Sequence, residues 1–321
     1  MTDPLLVCFG NFTIDDVVLA DGQKRDGCTG GDALYATLAA RAFEPASELV
    51  APIGMDTPPD ILARLEQLGL SLAGMPQRDV PNLHNRVDYK ADGSREWTLY
   101  SDPDHFDVLS PFARDIPPAF LGADRFLVLA MALPAQESLV EDLSGRPDTL
   151  VALDPQEDYI FGNESRLEAI IAKTDIFMPS EEEVVRLTGL RDWPKAARQF
   201  AGLGPRRVII KRGANGAYLY DKERDASFEI PVFDGGEVID TTGAGDSFCG
   251  AFMAMMGREA PEYAALAGAV AASVTVSGYG VDPLLMTHSN VIAERYETWR
   301  SHHHFALDDD GVHRLRPDNG A

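Results

Sequence analysis

Short apolar runs recur along the chain and stop at glycine, proline or a charged residue. LLVCFG (residues 5–10) is the first, and ELVAPIG (48–54), RFLVLAMAL (125–133), TLVALDP (149–155), TDIFMP (174–179) and RRVIIKRG (206–213) follow. Runs this short and this apolar read as strands buried on both faces. Between them the apolar period changes. In GGDALYATLAARAF (30–43), Leu34, Leu38 and Phe43 recur at helical spacing among alanines, and PDILARLEQLG (59–69) reads as a further helix. In VIDTTGAGDSFCGAFMAMMG (238–257), Phe248, Phe252, Met255 and Met256 make one apolar helix face behind a glycine-rich start. Strands alternating with helices predict an α/β fold, a doubly wound and mainly parallel sheet flanked by helices.

Two segments break that rhythm. Residues 11–27 and 83–102 carry Asp-Gly turns between stretches of mixed polar, aromatic and charged residues, which suit a half-exposed sheet. They predict a small β lid, leaving residues 1–10, 28–82 and 103–300 to the α/β domain. Residues 301–321 are polar and rich in turn formers, and read as a solvated C-terminal tail. His302, His303 and His304 are consecutive, so a regular element would not turn all three toward one metal ion.

Charge narrows the function classes. The chain has 321 residues, with 28 lysines and arginines against 51 acids and a formal net charge of −23. Surfaces that hold nucleic acid or anionic membrane need clustered cations, so neither partner is expected. Three cysteines (Cys8, Cys28 and Cys249) without a CxxC pair read as reduced thiols. The first residues show no signal-peptide pattern and no run is long enough to span a membrane, so a cytoplasmic location is the expectation.

The chemistry concentrates at Gly243-Ala244-Gly245-Asp246. Small residues let a ligand approach the backbone, and the first amides of a helix lack intrahelical partners. With the helix dipole they make an anion site. Asp246 beside it is either a cap for the helix or a base next to a phosphate. No GxGxxG turn follows the first strand, which counts against a dinucleotide fold.

DTTGAGDSF, preceded early in the chain by GGDALYATLAA, resembles the paired signatures of the ribokinase-like (PfkB) carbohydrate kinases. GNFTID, APIGMD, PSEEEVVRLTG and IIKRGANGAYLY match further family elements in order, so the resemblance covers nearly the whole chain. It implies transfer of the γ-phosphoryl group of ATP to a sugar-type hydroxyl. Asp246 would be the catalytic base, with Gly243, Ala244 and Gly245 giving amide hydrogens to the phosphate. Asp15, Gly30 and Gly31 would bind acceptor hydroxyls, and Glu183 would organise Mg²⁺ through water. Lys211, Gly213 and Gly216 fall on the nucleotide side.

The chain departs from the family pattern at two positions. Ser180 and Tyr35 stand where asparagine is usual. Ser180 and Glu183 also spell a capping box, a role compatible with the metal role. Tyr35 is either plain core or part of a more aromatic acceptor pocket. Arg212 is either a phosphate contact or a solvated strand end. Small residues at Ala271 and Ala272 suit either an adenine ring or helix packing. The expected acceptor is a neutral sugar, polyol or nucleoside. Arg86, Lys90 and Arg95 in the lid keep a sugar phosphate open, and a regulator without turnover remains the alternative outside enzymes. A monovalent cation such as K⁺ near Asp240 and a homodimer through the lid are left open by the resemblance.

Overall fold

The structure, a computed structural model, describes residues 4–90 and 95–318, without the side chains of Arg95 and Trp97. The expected Asp92-Gly93 turn and the Arg95 side chain therefore lie outside the described residues.

Fourteen strands form among the described residues: β1 (Leu6–Phe9), β2 (Thr13–Val18), β3 (Lys24–Gly30), β4 (Ser47–Val50), β5 (Leu83–Tyr89), β6 (Arg95–Leu99), β7 (Arg125–Val128), β8 (Leu150–Leu153), β9 (Ile176–Phe177), β10 (Arg207–Lys211), β11 (Ala217–Asp221), β12 (Ala226–Ile230), β13 (His303–Leu307) and β14 (Val312–Pro317). Ten make one sheet in the order β13-β14-β12-β11-β10-β9-β8-β7-β1-β4. From β4 to β10 every pairing is parallel, while β11 adds to β10 antiparallel. The α/β reading of the sequence holds. Alternation along β1 shows why its run is wholly apolar: Leu6 and Cys8 enter one core cluster, Val7 and Phe9 the other. Both faces are covered, as parallel sheets require.

Helices Asp32–Arg41, Ala244–Met255 and Pro261–Thr275 cover the first face. They pack closely because small residues meet: a Cβ on Gly250 would lie 2.0 Å from the Ala36 carbonyl oxygen. Any side chain there would force the two helices apart, and with them the helix starts that shape the site.

The two interrupting segments, joined by residues 28–30 that the sequence reading assigns to the α/β domain, make a separate four-stranded sheet, β3-β2-β5-β6. The Tyr89 hydroxyl, at the end of β5, donates to the Asp240 carboxylate, tying this sheet to the loop before the Asp246 helix.

The end of the chain departs from expectation. Residues 303–317 are not a solvated tail; β14 pairs with β12 and β13 pairs with β14. Phe305 packs edge-on against Phe228 and Tyr263, supplying the buried face that polar neighbours obscure in the sequence. His303 Nδ1 lies 2.8 Å from the Trp299 carbonyl oxygen and His304 Nδ1 lies 2.7 Å from Asp318, so the histidines have separate neighbours. No helix among the described residues is long and apolar enough to cross a membrane.

Candidate active site

The helix Ala244–Met255 begins on Gly243, whose φ of 74° is left-handed. Left-handed backbone favours glycine, and a second constraint reinforces it. A Cβ at Gly243 would lie 2.4 Å from Tyr35 ring atoms. The Tyr35 ring thus underlies the turn that precedes Asp246. Asp246 sits in the first helical turn, half-buried.

Tyr35 is 2% exposed, and its hydroxyl has no hydrogen-bond partner among the described residues. Burial, and then the charges of Asp15, Asp240 and Asp246, hold that phenol well above its usual range. It is a neutral donor facing carboxylates from both the lid and the glycine turn. The plain-core reading explains its burial but not the orphaned hydroxyl.

Asp15 lies on β2 and is 5% exposed. Asn85 Nδ2 donates to one of its oxygens at 2.9 Å, and Thr13 Oγ1 to the other at 2.9 Å. Burial pushes its carboxyl up to about 6, against the lowering effect of those two hydrogen bonds. Gly30 makes room for it, since a Cβ there would lie 2.6 Å from Asp15 Oδ2. Gly31 has φ 105° and caps the Asp32 helix, where a Cβ would collide with the Asn11 carbonyl oxygen at 2.3 Å.

The residues expected on the nucleotide side gather where β10 ends, beside the end of β8. Lys211 pairs with Asp154, which follows β8 and is 3% exposed. Burial lowers the ammonium's affinity for its proton, but Asp154 and other nearby acids raise it further, so the net shift is upward. Lys211 Nζ lies 3.5 Å from where a Cβ on Gly245 would stand, which places it against the glycine turn. Gly213 and Gly216 both have positive φ in the turn between β10 and β11. A Cβ on Gly216 would meet the Ile230 carbonyl oxygen at 2.0 Å, whereas one on Gly213 meets open space. Arg212 turns back to pair with Glu229 and to donate to the Asn215 carbonyl oxygen at 2.9 Å.

Glu183 completes the capping box of the helix Glu181–Thr188: its carboxylate accepts from Ser180 N at 2.6 Å, and its N–H donates to Ser180 Oγ at 3.2 Å. Ser180 thus spends its side chain on the cap. Burial, followed by the Asp154 charge, pushes the Glu183 carboxyl up to about 8 despite Lys211 and the Ser180 hydrogen bonds. Asp32, at the start of the neighbouring helix, is likewise raised by burial and by Asp246. Asp154, Glu183 and Asp246 therefore stand around one ammonium, and Asp32 faces Asp246 and Asp154. Asp154 Oδ1 is buried without a hydrogen-bond partner among the described residues. Asp154 pairs with the ammonium, so the carboxyl groups of Glu183 and Asp246 are in surplus, which fits Mg²⁺ bound through its waters. No cluster of three or more direct metal ligands forms among the described residues.

Sequence reasoning missed Asp154, Asp32 and Asn85. Asp154 carried one signal, an acid closing an apolar strand run; Asn85 carried none, because its partner Asp15 is 70 positions away.

The model of the "pfkB family carbohydrate kinase" matches residues 29–287. The chain belongs to the PfkB family. A cytidine kinase from Thermococcus kodakarensis is 31% identical over 80% of this chain and 90% of its own length. A nucleoside kinase from Burkholderia thailandensis, solved with inosine, has the same fold with a TM-score of 0.76 and 19% identity, covering 91% of this chain and 97% of that one. A neighbour from Escherichia coli, solved with ATP and Mg²⁺, has a TM-score of 0.72 and 19% identity over 92% of this chain and 99% of that one. Together, the family match and the curated relatives make this PfkB protein a sugar or nucleoside kinase.

Proposed function

We propose that this PfkB-family kinase transfers the γ-phosphoryl group of ATP to a hydroxyl of a neutral sugar or nucleoside. The observation that carries the reading is the left-handed Gly243 turn, which opens a helix beneath a carboxylate. Amides of the Gly243–Gly245 turn stabilise charge on the phosphoryl oxygens, while Asp246 takes the acceptor proton. Asp15, fixed by Asn85 and Thr13, accepts hydrogen bonds from the acceptor's hydroxyls, and Tyr35 donates another. Gly30 and Gly31 bring the backbone close to it. Lys211 faces the phosphates, with Gly213 and Gly216 shaping the nucleotide turn. Mg²⁺, held through water by Glu183, would offset the charge of ATP; phosphoryl transfer depends chiefly on such positioning and charge.

Two of the lid's cations support a neutral acceptor. Arg86 gives two hydrogen bonds of 2.7 Å to Asp88, and Lys90 pairs with Glu96 at 3.0 Å. Both cations already have carboxylate partners, which disfavours a second phosphate. The cytidine kinase relative and the inosine-bound neighbour make nucleosides the first acceptors to test. Purified protein is incubated with Mg-ATP and, in turn, nucleosides, sugars, polyols and sugar phosphates, and ADP release is read. Release dependent on a neutral acceptor supports the proposal. Preference for a sugar phosphate overturns the acceptor class, and binding without turnover favours a regulator.

A further inference from the structure

Asp154 and Lys211 form an ion pair across the carboxyl ends of the sheet. Asp154 follows β8, Lys211 closes β10, and β9 lies between them. The carboxylate is anchored by its backbone: Asp154 N donates to the Val128 carbonyl oxygen at 2.8 Å, and its own carbonyl accepts from Gln136 Nε2 at 2.9 Å. Cys249 Sγ lies 3.5 Å from Asp154 Oδ2, the oxygen that Lys211 also uses. The lysine side chain is 15% exposed, and its tip rests against Gly245. A free lysine side chain samples many rotamers, so an ammonium meant for one place needs an anchor.

We propose that Asp154 is a positioning residue: it holds the Lys211 ammonium beside the Gly245 amide, where the phosphoryl group passes. The inference rests on the kinase reading above. Asp154 need not touch substrate. It acts through Lys211, and the other charged groups facing that ammonium are Glu183 and Asp246. A carboxylate near phosphates opposes ground-state binding of ATP. Its retention beside an anion site makes sense if it orients the cation that the transition state needs.

The test compares Asp154→Asn, Lys211→Met and the double variant by steady-state kinetics, Mg²⁺ titration and calorimetric ADP binding. Asp154→Asn should lower kcat on the order of 10- to 100-fold, the range reached when a reacting group is misplaced by about 1 Å. The KM for ATP should stay level or fall, and half-saturating Mg²⁺ should not change. Because Asp154 acts through Lys211, the double variant should lose no more than Lys211→Met alone. Losses that multiply in full overturn the proposal. So does a raised Mg²⁺ requirement, which would assign Asp154 to the metal, or an Asp154→Asn variant with parental kcat. If the Asn variant does not fold, Asp154→Glu keeps the charge but displaces it; reduced kcat with unchanged ADP affinity supports the proposal, and parental kcat overturns it. A parent that binds ADP but phosphorylates no acceptor sinks the kinase reading instead. The same cycle on ADP binding then decides the pair, since independent effects there also overturn it.

Discussion

Gly243→Ala tests the idea that the Tyr35 ring fixes the start of the Asp246 helix. Two costs arise at once. An alanine at φ 74° must hold a left-handed backbone, which costs about 1–2 kcal/mol. Its methyl carbon would also fall 2.4 Å from Tyr35 ring atoms, and overpacking in a tight interior costs about 1–3 kcal/mol more. The sum of about 2–5 kcal/mol predicts a fall in Tm of roughly 4–10 °C, at about 2 °C per kcal/mol for a chain of this size. The overlap term can be isolated. Tyr35→Ala alone should destabilise by about 3–5 kcal/mol through the cavity it leaves. In the double variant the alanine methyl has room, so the combined loss should fall short of the sum by about 1–3 kcal/mol. Thermal melts of the four proteins, beside kcat for the best acceptor, give the result. Additivity within about 0.5 kcal/mol would refute the contact on which the reasoning stands.

Asp246→Asn should cut kcat by roughly 10²–10⁴-fold while calorimetric ADP binding persists, and unchanged turnover would remove Asp246 from the chemistry. Glu183→Gln keeps an oxygen for the Ser180 N–H, so the melt should move little while half-maximal activity needs more Mg²⁺; a lower Tm with unaltered Mg²⁺ dependence would leave Glu183 as a cap alone. Asp15 titrates near 6 because burial raises it, so its charged form grows as pH rises through that value. Acceptor kcat/KM should therefore decline as pH falls through about 6 while ADP affinity holds, and a flat profile from about pH 5 to about pH 8 would contradict the assignment.

What the sequence disclosed follows from how each feature is enforced. Strands buried on both faces must be apolar throughout, so β1, β7, β8 and β10 stand out as runs. Strands β13 and β14 hide because Phe305, Val312 and Leu315 alternate with polar residues, and the exposed positions carry pairs such as Arg314–Asp310 and Arg316–Asp308. The glycine turn was legible because close approach and left-handed backbone leave few alternatives to glycine. Asp154 was not, since its meaning depends on a lysine 57 residues later that reaches back across β9. Asn85 fails for the same reason: nothing near it in sequence announces a parallel pairing of β5 with β2.

A formal charge of −23 opposes the approach of a nucleotide, yet the site's own groups blunt that repulsion locally. Burial shifts the Glu183 carboxyl to about 8 and raises that of Asp32, so each holds a proton at pH values where an exposed acid would be charged. Lys211 is raised as well, and for a base that means it stays charged in spite of burial, because Asp154 is its neighbour. A phosphate approaching Gly245 therefore meets a fixed ammonium, helix amides and partly neutralised acids, and those neighbours govern it more than distant surface carboxylates that salt screens within about 10 Å. Net charge argues against nucleic acid as a partner because that recognition needs many cations over a wide surface. It says little about ATP, whose phosphates need only one well-held cation, a metal and the start of a helix.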